Sequence, residues 1–237
     1  MHAELDRFYS LLARLASVPL QGGTLATYTG RSNWPTRGVY FFQEPGEHRK
    51  AYREVARIVR VGTHAVCANS KATLWGRLRT HRGDRAGGGS HRSSVFRRHV
   101  GAALLARDGG HVPTWGVSSS ASSSIRSSEA LHEQQVSAYL GAMSVLWVDI
   151  PDEPGPRSAR AFVERNAIAL LSNHLDPFDR ASPSWLGLQS PHREIRASGL
   201  WNLDYVDATY DDTFLDLLEN FVTLTCSRMS TAGMKPI

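Results

Sequence analysis

Two short runs of β-branched and aromatic residues limit the fold of this chain more than any other feature. Residues 38–42 read GVYFF and lie between Pro35 and the pair Pro45-Gly46, while residues 55–62 read VARIVRVG. Short runs of this kind, bounded by proline and glycine, are typical of strands. The chain therefore predicts a β-hairpin whose first strand ends before Pro45.

Apolar residues at helical spacing predict that helices flank this hairpin. The predicted helices cover residues 3–16, 70–81 with Ser70 as N-cap, 95–105, 129–141, 158–172 and 214–224. A third, buried strand is predicted over residues 144–150, and composition predicts loops over residues 83–94 and 116–128, the second a serine-rich linker. The expected fold class is α/β, with a small mixed three-stranded sheet flanked by helices.

These elements divide the 237 residues into an N-terminal helix (1–30), a central domain (31–175) and a C-terminal extension (176–237). No apolar run approaches the roughly 20 residues of a membrane-spanning helix, and the N-terminus lacks a signal-peptide core. We therefore expect a cytoplasmic protein with no membrane partner. Trp185 and Trp201 are expected to pack the extension onto the domain.

Charge is distributed unevenly along the chain. Residues 31–107 carry 16 Lys/Arg against 4 Asp/Glu, and 14 of these cations are arginines, whereas residues 108–237 carry 9 Lys/Arg against 16 Asp/Glu. Arginine binds phosphate with two parallel hydrogen bonds, so a concentrated basic segment favours a polyanionic partner such as nucleic acid. A solvated, arginine-rich face is the alternative explanation.

A second pattern connects the hairpin to the helices. The triplet Gly38-Val39-Tyr40 lies in the first strand, and the triplet Arg60-Val61-Gly62 ends the second. Arg77 and His81 follow one helical turn apart, and Glu164 lies on a later helix. In these residues the chain resembles the GIY-YIG nuclease family. The resemblance implies metal-dependent hydrolysis of DNA phosphodiester bonds, with Tyr40, Arg77, His81 and Glu164 as the catalytic residues.

Elementary chemistry agrees with these roles. Cleavage of a phosphodiester requires a metal to polarise the phosphate, a cation for the developing charge, and a base for the attacking water. Glu164 can provide an oxygen ligand for Mg²⁺ (or Mn²⁺), and Arg77 can hold a phosphate oxygen. His81 shares a helix face with Arg77, and together with Tyr40 it would orient or deprotonate the water.

The resemblance covers roughly residues 37–175 and contains one departure, because Arg60 occupies the place where the family usually has its second tyrosine. Asn173 is a looser match to an asparagine that often follows the glutamate. The residues expected to bind DNA are Arg60, Arg82, Arg85, Arg92, Arg97, Arg98 and Asn173, mostly through contacts that carry no sequence information. One active site cuts one strand, so cleavage of both strands implies a homodimer or two binding events.

Two alternatives to an active nuclease remain open. The first is a catalytically silent nucleic-acid-binding protein that has the fold without the activity, and Arg60 is its best support. Such a protein would bind DNA with strong salt dependence and be insensitive to the loss of Glu164. The second is an unrelated α/β protein in which the two triplets are coincidental, and it predicts no effect of metal.

Overall fold

The computed structural model describes residues 2–232, which form seven α-helices, three strands and one 3-10 helix. In chain order the elements are α1 (His2–Ala16), β1 (Gly38–His48), β2 (Ala56–Gly62), α2 (Leu74–Arg82), α3 (Val95–Asp108), α4 (Ser123–Gly141), β3 (Ser144–Asp149), α5 (Ala159–Leu171), the 3-10 helix (Leu186–Gln189), α6 (Arg193–Ser198) and α7 (Phe214–Ala232). The predicted α/β class is confirmed, and each predicted helix and strand is present.

The three strands form one sheet in the order β2-β1-β3, with β1 antiparallel to both neighbours. The prediction of a mixed sheet is therefore wrong. The central four residues of β3, Val145–Val148, are buried. A strand that is buried on both faces has a continuous run of apolar residues. Such a run does not show whether the strand is parallel or antiparallel to its neighbours.

Strand β1 is longer than the sequence predicts, because it continues through Pro45 and Gly46 to His48. Its pairing with β2 shifts register after Phe42 and again after Gln43. Such bulges absorb residues that cannot join a regular ladder, and Gly46 adopts a φ of +85°. The proline and glycine that predicted the end of the strand lie in its bulged portion.

Two helices begin at positions other than those predicted. Thr73, and not Ser70, caps α2, since its hydroxyl oxygen accepts a hydrogen bond from the Gly76 amide at 3.1 Å. Helix α4 begins at Ser123 with Ser122 as its cap, so the second half of the predicted serine-rich linker is helical. Serine is a weak helix former but a strong N-cap, and a run of serines therefore conceals where the helix starts.

Helices cover both faces of the sheet. Alternate residues of β1 point to opposite sides, so that Val39 and Phe41 join one apolar core while Tyr40 and Phe42 join the other. The first core is completed by α1, α5 and α7, and the second by α2, α3 and α4. None of the helices formed by residues 2–232 is long and apolar enough to cross a membrane.

The N-terminal and C-terminal helices belong to the same layer. Phe8 of α1 lies against Phe214 of α7 with ring centroids 6.5 Å apart. Arg7 and Arg14 of α1 form ion pairs of 2.7 and 3.1 Å with Glu219 of α7. These contacts place the two ends of the chain together on the face of the sheet opposite Tyr40.

The C-terminal extension is anchored by its tryptophans, as the sequence predicts. Trp185 and Trp201 are both buried in the second core, and their indole N–H groups donate to Glu44 Oε2 at 3.0 and 3.2 Å. The Tyr139 hydroxyl donates to the other oxygen of Glu44. Burial raises the pKa of Glu44, opposed by these three donors. The backbone N–H of Trp201 also donates to the Val59 carbonyl at 2.7 Å, which fastens the extension to the edge of β2.

Candidate active site

A cleft of about 390 Å³ opens where β2 ends, between α2, α3, α5 and the C-terminal extension. Its polar lining comes from five parts of the chain that are far apart in sequence. The polar lining residues are Arg60, Thr63, Arg77, His99, Glu164, Asn202, Asp204 and Tyr205. Three of the residues predicted from the sequence, Arg60, Arg77 and Glu164, therefore meet in one place.

The two motif glycines give the site its close packing. Gly62 lies opposite Tyr40 in the strand register, and a Cβ added at Gly62 would lie 2.3 Å from the Tyr40 hydroxyl oxygen. A Cβ at Gly38 would lie 2.3 Å from the Val148 carbonyl oxygen. Contacts this short are sterically forbidden, so a side chain at either position would displace the Tyr40 ring or the β1–β3 pairing.

Tyr40 and His81 form a fully buried hydrogen-bonded pair, and neither of them lines the cleft. The Tyr40 hydroxyl lies 2.9 Å from His81 Nε2, and His81 Nδ1 lies 2.7 Å from the Ser94 hydroxyl oxygen. Burial, helped by Arg77 and other nearby arginines, lowers the pKa of His81 well below its usual value. His81 is therefore neutral near pH 7 and can accept the Tyr40 proton in the tautomer whose Nδ1–H donates to Ser94.

Two arginines present cations to the cleft. Arg77 Nε and Arg60 Nε are both buried and have no hydrogen-bond partner within residues 2–232. Arg60 donates to the Trp201 carbonyl, and its guanidinium lies over the Phe96 ring, 4.7 Å from the centroid. Burial lowers the pKa of Arg60, and the facing Tyr40 hydroxyl acts in the opposite direction. The departure from the family pattern at Arg60 thus places a second cation beside Tyr40.

Glu164 is held in position by the end of β2. Its Oε1 accepts a hydrogen bond from the Thr63 amide at 2.9 Å, and the Thr63 hydroxyl donates to the Gly38 carbonyl at 2.8 Å. Burial raises the pKa of Glu164, opposed by the Thr63 N–H and by the two arginines of the cleft. Asp204 lies close enough to raise this pKa further.

The oxygen atoms of Glu164 and Asp204 are the donors in this cleft that suit a hard divalent cation. The part of the chain that the structure describes contains no group of three or more His, Cys, Asp and Glu side chains able to hold a metal. Mg²⁺ is usually bound by one or two carboxylates and retains several waters or substrate oxygens. The donor set of the cleft therefore fits Mg²⁺ and does not fit a closed structural zinc site.

The C-terminal extension contributes one wall of the cleft. The Asn202 amide donates to the Val61 carbonyl at 2.9 Å and accepts from the Val61 N–H at 3.2 Å, so the side chain pairs with β2 as a neighbouring strand would. This pairing holds Asp204 and Tyr205 at the mouth of the cleft. Tyr205 is about half exposed and has a φ of +64°, which is uncommon for a bulky residue.

Three residues that were expected to bind DNA have side chains that form ion pairs or hydrogen bonds within the protein. Arg97 is fully buried, pairs with Glu133 at 2.5 Å and donates to the His81 carbonyl at 2.9 Å. Arg92 makes two hydrogen bonds to Glu129, at 2.6 and 2.8 Å. The side-chain amide of Asn173 bonds the backbone around residues 179 and 198. Most of the polar side-chain atoms of these three residues are therefore engaged within the protein, although Arg92 Nε has no partner within residues 2–232. DNA contacts at these positions stay predictions.

The other three arginines lie outside the lining of the cleft. Arg82 is half-buried, lies over the Trp75 ring and donates to the Tyr28 carbonyl at 2.5 Å. Arg85 and Arg98 are exposed. DNA contacts at these positions stay predictions, and they would involve substrate outside the cleft.

The comparison with protein families identifies one family. The family model described as GIY-YIG domain matches residues 1–228. This chain belongs to the GIY-YIG family. The family implies a nuclease-type activity, and its match extends over the N-terminal helix and most of the C-terminal extension. No curated protein and no solved structure matches the chain.

The GIY-YIG site contains residues that the sequence analysis did not single out. Thr63 follows the second triplet directly, so its backbone contact to the site could have been inferred from the register. His99 is one of several histidines in the basic region, and Asp204 is one of many acidic residues in the C-terminal part. Neither has a local signal, because only the packing of the extension against β2 brings these side chains to the cleft.

Proposed function

We propose that this GIY-YIG protein is a metal-dependent endonuclease that hydrolyses phosphodiester bonds in DNA. The observation that carries the proposal is the convergence of Glu164, Arg77 and Arg60 on one cleft. The buried Tyr40–His81 pair does not line this cleft but lies close enough to its arginines to interact with them electrostatically. This set provides a metal ligand, two cations for the phosphate and a route for a proton, which are the requirements of the reaction. The basic residues 31–107 supply the attraction to DNA.

Arg77 and Arg60 bind the phosphate in this mechanism. Each has a buried Nε–H that is free of protein partners in residues 2–232, so each can donate to an incoming oxygen without breaking an existing bond. A hydrogen bond from a charged donor to phosphate is about twice as strong as a neutral one. In a cleft of low dielectric the two guanidinium groups stabilise the charge that develops on the phosphate.

Glu164 and Asp204 would hold the divalent cation, which would polarise the scissile phosphate. The Thr63 N–H orients one oxygen of Glu164, so the carboxylate keeps a single direction. Glu164 must be ionised to act as a ligand, and burial raises its pKa. Binding of the cation by Glu164 therefore requires a higher pH than binding by a solvent-exposed glutamate would require.

Tyr40 and His81 accept the proton of the attacking water. As the water oxygen forms its bond to phosphorus, its proton passes to the Tyr40 oxygen, and the Tyr40 proton passes to His81 Nε2 over the existing 2.9 Å hydrogen bond. The bond from phosphorus to the leaving oxygen breaks, and that oxygen takes a proton from solvent. Tyr40 gains one proton as it loses the other, so its oxygen stays neutral and the transferred positive charge resides on His81.

The Tyr40→Phe substitution tests this proton route. We expect a loss of about 10²- to 10⁴-fold in the single-turnover nicking rate, because proton transfer by a positioned side chain contributes about that factor. DNA binding should be unchanged. Tyr28→Phe is the matched control, since its hydroxyl bonds the Leu20 carbonyl at 2.7 Å and lies outside the cleft lining. Equal rates for the two variants would contradict the role of Tyr40.

The Asp204→Asn substitution tests the second carboxylate. We expect the Mg²⁺ concentration for half-maximal nicking to rise about tenfold, equivalent to roughly 1.4 kcal/mol, because one anionic ligand is lost. The rate at saturating Mg²⁺ should change little. Asp207→Asn removes an exposed carboxylate of the same segment that does not line the cleft, and it serves as the control. An unchanged Mg²⁺ titration would show that Asp204 is not a ligand.

The function itself is tested with supercoiled plasmid, the purified full chain and Mg²⁺, with EDTA as the control. We expect nicked circles that disappear with EDTA, and linear DNA that forms later because one cleft cuts one strand. A steep dependence of linearisation on protein concentration would indicate a homodimer. Salt-sensitive binding without any nicking on several DNAs would instead establish the alternative, a catalytically silent DNA-binding protein.

A further inference from the structure

His99 is a buried histidine whose polar atoms are unused. It lies on α3, is 1% exposed, and lines the cleft. Neither of its ring nitrogens has a hydrogen-bond partner within residues 2–232. Nearly all buried polar groups in proteins are paired, and an unpaired one costs stability and requires an explanation.

The other fully buried histidines differ from His99 in this respect. His81 bonds Tyr40 and Ser94 through its two nitrogens. His91 bonds Glu133 and the Gly116 amide. These histidines have structural partners on both sides of the ring, whereas His99 has none among residues 2–232.

The surroundings of His99 keep it neutral. Burial, with the neighbouring His192, Arg60 and Arg98, lowers the pKa of His99 to about 3. The rings of His99 and His192 contact each other in an edge-to-face arrangement, with their centroids 4.6 Å apart. Near pH 7 the imidazole therefore has one N–H donor and one acceptor nitrogen, and neither is used by another group of residues 2–232.

Three residues with unpaired buried nitrogens share this cleft and come from three separate elements. Arg60 Nε belongs to β2, Arg77 Nε to α2 and the ring nitrogens of His99 to α3. Donors that approach from different directions match the oxygens of a tetrahedral phosphate group, and each would regain a hydrogen bond when the phosphate enters. The arrangement disfavours an apolar occupant, which would leave all three unpaired.

We propose that His99 is a third phosphate-binding residue, which donates a hydrogen bond from its neutral ring to a phosphate oxygen of the substrate. The inference rests on the proposed function and extends the set of substrate contacts beyond the residues that the family resemblance indicates. Because the donor is neutral, it contributes a directed contact and adds no charge to a cleft that already holds two arginines. His99 thereby positions the phosphate between the arginines and Glu164.

The test replaces His99 with leucine, which has a similar volume and no polar atoms, and with glutamine, which retains an N–H donor. Binding of a short duplex oligonucleotide is measured in the Glu164→Gln background, so that cleavage does not interfere. We expect His99→Leu to weaken binding about ten- to hundredfold, the value of one hydrogen bond to a charged group. His99→Gln should bind within a few-fold of the parent.

Thermal stability separates this role from a structural one. Leucine removes two unpaired nitrogens from the interior, so the Tm of His99→Leu should equal or exceed that of the parent while binding falls. His111→Leu, at an exposed position outside the cleft lining, is the control. Unchanged binding by a stable His99→Leu variant would overturn the inference, whereas the plasmid assay of the unmodified chain decides the proposed function independently.

A measurement without substitution at His99 covers the case in which His99→Leu fails to fold. The ¹⁵N shifts of the His99 ring are followed while the oligonucleotide is added to the folded Glu164→Gln protein. We expect the N–H resonance to shift at saturation, as a new hydrogen bond requires. Ring shifts that stay constant while the oligonucleotide binds elsewhere on the protein would overturn the proposal.

Discussion

Replacing Glu164 with glutamine should abolish metal-dependent nicking and at the same time stabilise the folded protein. Glutamine keeps the oxygen that accepts the Thr63 N–H but removes the negative charge that holds the cation. The contribution of a bound metal to the transition state is several kcal/mol, so the rate should fall by about a thousandfold or more. Single-turnover nicking at saturating Mg²⁺ measures this loss.

The gain in stability follows from the direction of the Glu164 pKa shift. Burial raises this pKa in the folded protein, so between the ordinary glutamate pKa and the raised value the folded state binds more protons than the unfolded state. Stability is therefore lost as the pH rises through that window. Above that window the unmodified protein carries the full cost of the charged carboxylate, and glutamine removes it.

A pH series of melting temperatures checks the sign. The Tm of Glu164→Gln should exceed that of the unmodified protein at pH 7 without metal, and the difference should shrink as the pH falls toward the ordinary glutamate value near 4. The exposed Glu194→Gln is the control and should show no such difference. A lower Tm for Glu164→Gln at pH 7 would mean that the carboxylate is needed for the fold.

Replacing Arg97 with methionine should destabilise the protein far more than the same replacement at the neighbouring Arg98. The Arg97 side chain is fully buried and pairs with Glu133, itself 5% exposed. Loss of one partner leaves the other charge buried and uncompensated, which costs about 3–5 kcal/mol. Arg98→Met, one residue away and exposed, should stay within about 0.5 kcal/mol of the unmodified protein.

Urea unfolding at constant slope measures both variants. The double substitution Arg97→Met with Glu133→Gln should recover part of the loss, because no unpaired charge remains. Arg97→Met should also impair nicking, since the Arg97 side chain donates to the His81 carbonyl at 2.9 Å and methionine cannot. Equally small effects of Arg97→Met and Arg98→Met would mean that the Arg97–Glu133 pair does not support the fold.

The sequence by itself determined the hairpin, the presence and order of the helices, and the closeness of Tyr40 to Gly62. These features depend on signals within a few residues, such as β-branched runs, helical spacing and the two motif triplets. The triplets bring Tyr40 and Gly62 together because strand pairing follows directly from the hairpin. Arg77 and His81 share a helix face for the same local reason.

Only the tertiary structure decided the direction of β3, the role of each arginine and the function of the C-terminal extension. Arg60, Arg77, Arg97 and Arg98 have the same chemical group, yet only the first two line the cleft, while Arg97 supports the fold and Arg98 is exposed. The location of each guanidinium depends on which distant carboxylate or carbonyl group it pairs with. Burial makes such pairing obligatory for polar atoms, and no local pattern records a partner that arrives from a distant part of the chain.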